Sequence, residues 1–276
     1  MVWEDRAFAL FCLGIQPTYM EAIIQTTNLT KSYGKSNVLK GINLEVFPGQ
    51  IIGYIGPNGA GKSTTIKILT GLLTEYGGEV KVKGLEVATH PLEIKQAIGY
   101  VPENAVVYDV LTPTEYFRFL GSLYQKDGNA MTRKGDELLR IFGLHDQRNE
   151  RMTSFSKGMK QKVLLISGML HNPDIIFFDE PLSGLDANSV ILLKEILQQL
   201  SRAGKTLFYS SHIMEVVEKI CDRIILINQG EIIADGTFEE LKNQQQSGSL
   251  EQLFNQLTGN DEHIGLADEF VQIIRD

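Results

Sequence analysis

The chain has 276 residues, of which 43% are hydrophobic and 22% are charged, so it is long enough for one large domain or two small ones with a sizeable core. This composition excludes a disordered chain, a collagen-like repeat and a coiled coil. The net charge is −8, and residues 231–276 account for it, because they hold ten acidic residues against Lys242 and Arg275. Residues 1–230 contain equal numbers of acidic and basic residues. The chain therefore has no overall positive charge that would attract a nucleic acid, and we expect no nucleic acid partner.

Neither the cysteines nor the apolar runs point to a secreted or membrane-spanning protein. Cys12 and Cys221 form no spaced framework, which argues against a disulfide scaffold or a zinc site. The longest apolar run, residues 7–15, is far shorter than the ~20 residues that cross a bilayer. It follows acidic residues, unlike the basic start of a secretory leader. We therefore expect no membrane-spanning segment.

The N-terminus differs from the rest of the chain. Residues 1–19 contain the single tryptophan and show no clear period, whereas Met20 opens an alternating run. We expect Met20 to be the biological start and residues 1–19 to be a non-native N-terminal extension, such as an upstream mis-start; a genuine N-terminal arm is the alternative.

The remaining patterns, taken in chain order, alternate between strands and helices. The predicted strands lie at residues 21–26, within 38–55, and at 79–87, 175–178, 206–209 and 223–227. The predicted helices lie at residues 63–73, about 113–140 and 189–201. Such alternation predicts an α/β fold with a parallel sheet covered on both faces, and the continuous apolar run at 175–178 is typical of a strand in such a sheet.

The C-terminal tail contains two short amphipathic runs. Leu250, Leu253, Phe254 and Leu257 share one helical face, and a less regular run contains Leu266, Phe270 and Ile274. Packing against the main body is the favoured interpretation, and a regulatory or dimerising element is the alternative.

A glycine-rich loop carries the strongest chemical signal. Residues 56–64 match G-x-x-x-x-G-K-[ST] in full, between a predicted strand and a predicted helix. The glycines let backbone N–H groups approach a phosphate, Lys62 adds a charge for the β- and γ-phosphates, and Ser63 offers its hydroxyl to Mg²⁺. The predicted nucleotide-binding residues of this loop are Gly56, Pro57, Asn58, Gly59, Ala60, Gly61, Lys62, Ser63 and Thr64, and Lys62 is also predicted to act in catalysis.

Two carboxylates follow the buried strand at residues 175–178. A carboxylate at the end of such a strand is unfavourable unless it meets a cation. Asp179 is therefore predicted to bind Mg²⁺ through water, and Glu180 to activate an attacking water as a general base.

Further segments resemble the ATP-binding cassette (ABC) ATPases. Residues 155–161, Phe-Ser-Lys-Gly-Met-Lys-Gln, resemble the signature segment of that family, and residues 183–186, Ser-Gly-Leu-Asp, resemble its D-loop. His212, after two serines, is similar to the switch histidine, and Tyr33 sits where the family stacks an aromatic ring on adenine. Residues 99–103 sit where the family places its Q-loop. The resemblance covers about residues 20–236.

The resemblance implies a P-loop NTPase (RecA-like) core with an antiparallel β-subdomain near residues 20–90 and an inserted α-helical subdomain near 104–162. The ABC ATPase domain would span residues 20–240, and 241–276 would form an acidic C-terminal helical tail. The implied cofactors are ATP and Mg²⁺.

In the family two subunits form a head-to-tail dimer, so that each ATP lies between the phosphate loop of one and the signature of the other. The residues implied to act on the partner's ATP are Ser156, Lys157, Gly158, Met159 and Asp186. His212 is implied to contact the γ-phosphate during catalysis, and the implied Mg²⁺ ligands are Ser63, Glu103 and Asp179. A basic group around the signature either assists the anion across the dimer or forms a solvated face; it comprises Arg148, Arg151, Lys157, Lys160 and Lys162.

Two departures from the family pattern resemble the ABC-2 type exporter subfamily, which includes antibiotic-resistance ATPases. Lys157 and Met159 replace the usual glycine and glutamine of the signature, and Glu103 replaces the usual glutamine of the Q-loop. We expect phosphate binding to survive, because backbone groups and Ser156 supply most of it. Glu103 is expected to change the affinity for the metal.

The resemblance implies a peripheral ATP-binding and ATP-hydrolysing subunit of an exporter, located on the cytoplasmic face of the cell membrane. Its partners would be a transmembrane permease on a separate chain and a second ATPase subunit, identical or different. We expect the helical insert to dock the permease through Val106, Val107 and Tyr108.

A soluble ABC ATPase in DNA repair or translation is the alternative. Only 93 residues separate Lys62 from Ser156, which leaves no room for the coiled coil of the repair enzymes, and the chain has one cassette where translation-type members have two. A small-molecule P-loop kinase would not explain the signature, the D-loop and the switch histidine together.

Overall fold

The computed structural model describes residues 21–104, 106–245, 248–259, 270, 273 and 274. The predictions about residues 1–19 and Met20, and most of the second amphipathic run of the tail, lie outside these residues. None of the helices within the described residues is long and apolar enough to cross a bilayer.

The described strands form two sheets. The strands are β1 (Ile24–Tyr33), β2 (Ser36–Val46), β3 (Ile51–Ile55), β4 (Gly77–Val82), β5 (Leu85–Glu86), β6 (Ile98–Val101), β7 (Ile175–Asp179), β8 (Thr206–Ser210), β9 (Arg223–Asn228) and β10 (Glu231–Gly236). The smaller sheet has the order β2-β1-β4-β5 and is antiparallel. The central sheet has the order β10-β9-β3-β8-β7-β6; its strands are parallel except for β10 at the edge.

The described helices connect and cover these strands. They are α1 (Lys62–Leu69), α2 (Pro91–Ala97), α3 (Pro113–Leu123), α4 (Gly128–Ile141), α5 (Lys157–Met169), α6 (Ala187–Arg202), α7 (Met214–Ile220), α8 (Phe238–Gln245) and α9 (Leu250–Thr258). The predicted α/β fold with a parallel core sheet and an antiparallel sheet is confirmed.

Two predicted elements are divided in the structure. The expected single strand at 79–87 is wrong, because Lys83 and Gly84 have φ values of 53° and 75° and turn the chain between β4 and β5. The helical region at 113–140 is two helices. Tyr124 ends α3, and the Asp127 side chain accepts hydrogen bonds from the first amides of α4.

The core lies on both faces of the central sheet. Alternate residues of each strand enter different clusters, so that Ile176 and Phe178 pack on one face while Ile175 and Phe177 pack on the other. This arrangement explains why β3, β7 and β8 are buried along their whole length. The carboxyl ends of these parallel strands meet at one edge, and the polar segments that follow them are therefore brought together there.

The first run of the C-terminal tail packs against the main body, as the favoured interpretation predicted. Leu250 and Leu253 of α9 are fully buried in the same cluster as Val216 and Val217 of α7. The Leu250 amide also donates a hydrogen bond to a Glu218 carboxylate oxygen on α7, 3.2 Å away.

Candidate functional site

The phosphate loop joins β3 to α1 and requires glycine at two positions for different reasons. A Cβ at Gly56 would lie 2.2 Å from the Ile227 carbonyl oxygen of β9, which no side chain tolerates. Gly61 has a φ of 111°, and a Cβ there would lie 2.6 Å from Leu39 Cδ2. The loop is thus held against β2 and β9, and its backbone conformation is fixed by the surrounding strands.

Lys62 begins α1 and turns its ammonium group back over the loop. The Nζ atom donates hydrogen bonds to the carbonyl oxygens of Gly56 at 2.6 Å and Pro57 at 3.1 Å. Burial lowers the pKa of Lys62, and the negative charges of Glu180, Asp179 and Glu103 oppose that shift. The predicted catalytic lysine and three predicted acidic site residues therefore lie within electrostatic reach of one another.

Asp179 ends β7 inside the protein. Its Oδ1 accepts a hydrogen bond from the Ser210 hydroxyl at 3.0 Å. Burial raises the pKa of Asp179 above its usual value and Glu103 adds to the rise, whereas the hydroxyls of Ser210 and Ser63 and the charge of Lys62 lower it. The structure therefore gathers the three residues expected to bind Mg²⁺, which are Ser63, Glu103 and Asp179.

The chemistry of these three residues fits Mg²⁺. Carboxylate and hydroxyl oxygens are hard ligands, and Mg²⁺ prefers one or two carboxylates together with water and nucleotide phosphates. No group of three or more His, Cys, Asp or Glu side chains in the described part of the chain is placed to enclose a metal by itself. A cation here would neutralise the buried Asp179 carboxylate, whose raised pKa reflects the cost of its charge.

Glu180 and His212 form a pair that the sequence did not predict. His212 Nδ1 lies 2.9 Å from Glu180 Oε2, and the Ser211 hydroxyl donates to the same oxygen at 3.4 Å. The Glu180 side chain is only 15% exposed, whereas that of His212 is 75% exposed. A carboxylate held in this way can accept a proton from a water molecule, and the histidine can orient it.

The backbone contributes to the position of Glu180. This residue has a φ of 51°, a conformation that side-chain-bearing residues adopt at a cost, and its amide donates to the Ser210 carbonyl oxygen at 3.0 Å. The sequence contained a signal for the pairing with His212: Asp-Glu spans the end of β7 and Ser-Ser-His spans the end of β8, and these strands are parallel neighbours.

The predicted signature begins a helix at the protein surface. Ser156 precedes α5, is exposed, and accepts a hydrogen bond from the Met159 amide at 3.3 Å. A Cβ at Gly158 would lie 2.6 Å from the Gly184 carbonyl oxygen, so this glycine permits close contact with the predicted D-loop. The N-terminal amides of α5 can donate hydrogen bonds to an anion.

The D-loop leads into α6 through Asp186. Its side chain accepts hydrogen bonds from the Ser189 amide at 2.9 Å and the Ser189 hydroxyl at 2.7 Å, and pairs with Lys162 at 3.0 Å. These hydrogen bonds, followed by the lysine, hold the pKa of Asp186 well below its usual value.

Tyr33 is the last residue of β1 and is 50% exposed. The Lys31 ammonium lies 5.1 Å from the centre of the ring. An exposed aromatic face of this kind can stack on a planar ligand.

The basic residues around the signature make contacts within the chain. Neither prediction for them, assistance to the anion across the dimer or a solvated face, included such contacts. Lys160 pairs with Asp109 at 2.9 Å, Lys162 pairs with Asp186, and the Arg151 guanidinium donates to the Val110 carbonyl oxygen. Lys157 donates to the Ser183 hydroxyl at 3.1 Å. These cations therefore tie the signature to its neighbouring segments.

Comparison with known proteins shows which family the chain belongs to. Residues 39–183 match the family described as ABC transporter. The chain is 38% identical over 217 residues to the ABC transporter ATP-binding protein NatA of Bacillus subtilis, covering 78% of this chain and 88% of that protein. It is 37% identical over 219 residues to the linearmycin resistance ATP-binding protein LnrL of the same organism, covering 79% of this chain and 70% of that protein.

Solved structures show the same fold. An ATP-binding subunit of an ABC transporter superposes with a TM-score of 0.80 at 32% identity, over 85% of this chain and 99% of that one. A dimeric ATP-binding cassette in a post-hydrolysis state, bound to ADP and Pi, superposes with a TM-score of 0.72 at 26% identity, over 78% of this chain and 98% of that one. The chain therefore belongs to the ABC transporter family and is one of its ATP-binding, ATP-hydrolysing subunits.

Proposed function

We propose that this ATPase subunit powers an exporter whose transmembrane permease is a separate chain, and that it works at the cytoplasmic face of the membrane. The likeness to a linearmycin resistance ATP-binding protein supports the exporter type. Lys157, Met159 and Glu103, which depart from the general family pattern, support it as well.

The proposal requires a dimer of ATPase subunits, and the observation that supports this dimer is the exposed N-terminus of α5. Ser156 and Lys157 lie at the surface, and Lys157 donates a hydrogen bond to Ser183, whereas the charges that act on Lys62 come from Glu180, Asp179 and Glu103. Among the described residues, neither a hydrogen bond nor an ion pair joins Ser156 or Lys157 to the phosphate loop. A second subunit, related by a two-fold axis, would bring its signature to this phosphate loop and complete both sites.

Within each site we assign the following roles. The phosphate loop and Lys62 bind the phosphates of ATP, and Tyr33 stacks on the adenine. Ser63, Glu103 and Asp179 hold Mg²⁺, which when bound would neutralise phosphate charge. Glu180 takes the proton of the attacking water, and His212 holds Glu180 through Nδ1, which leaves its Nε2 as the nitrogen that can face the γ-phosphate. Ser156, Lys157, Gly158, Met159 and Asp186 act on the ATP of the partner.

Closure of the dimer follows from this division of the site. ATP contacts both subunits only when they meet, so its binding favours the closed dimer by the free energy of the added contacts. Hydrolysis removes the γ-phosphate from between them and reverses that preference.

We assign the docking of the permease to an exposed apolar surface beside α3. Val106 is 79% exposed and Tyr108 is 61% exposed, and the Tyr108 ring packs edge-on against Phe119 with 5.4 Å between centroids. Val107, which was predicted to share this surface, packs partly into the core. The docking surface therefore consists of Val106, Tyr108 and Phe119.

The dimer is tested with the Glu180→Gln variant and light scattering after gel filtration. With Mg²⁺ and ATP, we expect this variant to run as a dimer, because it binds ATP and cannot remove the γ-phosphate. With ADP it should run as a monomer. The Lys62→Ala, Glu180→Gln double variant is the matched control, and it should stay monomeric with ATP. A Glu180→Gln protein that is monomeric at saturating ATP would contradict the proposal.

A further inference from the structure

A buried hydroxyl group contacts the carboxylate of the proposed general base. Ser211 comes directly after β8 and is buried, and its hydroxyl donates to Glu180 Oε2 at 3.4 Å. The same hydroxyl oxygen accepts a hydrogen bond from the Ile213 amide at 3.1 Å. The Ser211 side chain is therefore held between the backbone that leads into α7 and the Glu180 carboxylate.

Two donors converge on one oxygen of Glu180. His212 Nδ1 lies 2.9 Å from Oε2, and the Ser211 hydroxyl reaches the same atom. Among the described residues, no hydrogen bond or ion pair involves Oε1. The contacts on Oε2 hold the carboxylate in place, which leaves Oε1 as the oxygen that can accept a proton from the attacking water. The 3.4 Å distance to Ser211 is long, and catalytic hydrogen bonds commonly shorten once the substrate is bound.

Tyr209 provides a second hydroxyl close to Ser211. It lies on β8 beside Gly53 of β3, is fully buried, and its hydroxyl has no hydrogen-bond partner among the described residues. Burial raises the pKa of Tyr209, the nearby Ser211 hydroxyl opposes that rise, and Cys221 and Glu180 add to it. A buried hydroxyl donor is costly to leave unpaired, and Ser211 is the polar group within its reach that can accept.

We propose that Ser211 is a positioning residue for Glu180 in ATP hydrolysis, and that the Tyr209 hydroxyl supports it by donating to the Ser211 oxygen. The inference rests on the proposed function, in which Glu180 takes the proton of the attacking water. A serine oxygen has two lone pairs, so it can accept from both Ile213 and Tyr209 while its proton is donated to Glu180 Oε2. With Oε2 held by Ser211 and His212, the carboxylate cannot rotate freely, and Oε1 keeps the position from which it accepts the proton.

The first test compares kcat and KM in Ser211→Ala. We expect kcat to fall about 10-fold, because the variant loses a hydrogen bond to a charged group. The KM for ATP and the affinity measured by calorimetry should stay at the wild-type values, since the phosphate loop is unchanged. Ser167→Ala is the matched control, because Ser167 is a buried serine whose hydroxyl donates to the Leu164 carbonyl oxygen within α5; it should keep the wild-type kcat.

The second test removes only the Tyr209 hydroxyl. Tyr209→Phe should lower kcat severalfold with an unchanged KM, and should have no further effect when combined with Ser211→Ala, because the hydroxyl acts through Ser211. Tyr116→Phe, at another buried tyrosine on α3, should keep the wild-type kcat. Melting temperatures identify any loss of folding, and Tyr209→Phe tests the proposal even if Ser211→Ala is unstable.

The Glu180→Gln background gives a readout that a merely structural role would not give. In single-turnover measurements, Ser211→Ala should not lower the residual rate of Glu180→Gln, because the base that the serine positions is already absent. A further loss in the double variant would show that Ser211 acts elsewhere and would overturn the proposal.

The outcomes separate this inference from the proposed function. A wild-type kcat in Ser211→Ala would overturn the positioning role, and additive losses in Ser211→Ala and Tyr209→Phe would overturn the support by Tyr209. Either result would leave the role of Glu180 standing if Glu180→Gln has lost its turnover. If Glu180→Gln hydrolyses ATP at the normal rate, the proposed role of Glu180 is wrong and the inference falls with it.

Discussion

At the scale of single residues, the pairing of Glu180 with His212 defines the first prediction. Glu180→Gln should bind ATP with near wild-type affinity, because the phosphate loop is intact, but should lose at least ~100-fold in kcat, since general-base catalysis contributes about 10²–10⁴. Phosphate release measures kcat, and calorimetry measures binding. His212→Ala is the comparison and should also lower kcat, because it removes the 2.9 Å contact that orients the carboxylate. Normal turnover in Glu180→Gln would show that another group is the base.

Glu103 gives a second prediction at this scale, which concerns metal and pH together. Glu103→Gln removes a proposed Mg²⁺ ligand, so half-maximal activity should require more Mg²⁺ while ATP affinity changes less. Asp179 must be ionised to bind the cation, and the Glu103 charge contributes to its raised pKa. Removing that charge lowers the pKa of Asp179, so the loss of activity on acidification should move to lower pH.

Measurements of ATPase activity against Mg²⁺ concentration at several pH values check both parts of the Glu103 prediction. Glu93→Gln is a suitable control, because Glu93 is an exposed residue in the first turn of α2. An unchanged Mg²⁺ requirement and an unchanged acid limb in Glu103→Gln would argue against a metal role.

At the scale of secondary-structure elements, α9 is part of the folded body. Leu253 is fully buried against the cluster that contains α7, so Leu253→Ala should lower the free energy of unfolding by about 2–5 kcal/mol. Gln256→Ala, on the exposed side of the same helix, should change it by less than about 0.5 kcal/mol. Urea unfolding measures both, and equal small effects would mean that α9 packs only weakly.

The proposed docking surface is formed by α3 and the loop that precedes it. Val106→Glu and Tyr108→Glu should reduce transport in a reconstituted system and leave the ATPase activity of the isolated subunit unchanged, because both side chains are exposed and lie outside the site. Ile191→Glu, an exposed apolar residue on α6, should affect neither activity. Full transport by both docking variants would place the permease contact elsewhere.

At the scale of the whole molecule, the sequence predicted the parts that depend on local spacing. The phosphate loop could be predicted because its glycines, Lys62 and Ser63 are contiguous. The continuous apolar run before Asp179 predicted a strand buried on both faces, and β7 is buried throughout. The turn at Lys83 and Gly84 was missed because the residues on either side of it continue an alternating pattern.

The contacts that local sequence patterns did not predict join segments distant along the chain. Glu180 meets His212 because β7 and β8 are neighbours, and Gln161 meets Pro181 because the start of α5 lies beside the segment that follows β7. The partners of Lys160 and Lys162 were also not predicted, because Asp109 and Asp186, with which these lysines form ion pairs, are distant from them in the sequence. These contacts depend on strand order, which local patterns do not specify.

The central claim is that this ATPase drives a transmembrane partner, and one measurement tests it most directly. Tagged Glu180→Gln protein is captured from membranes in mild detergent with Mg²⁺ and ATP, and the proteins that accompany it are identified by mass spectrometry. We expect a polytopic membrane protein, which is absent when Val106→Glu and Tyr108→Glu are added. Capture of a ribosomal, DNA-bound or other non-membrane partner in its place would leave the ATPase site intact and contradict the transport function.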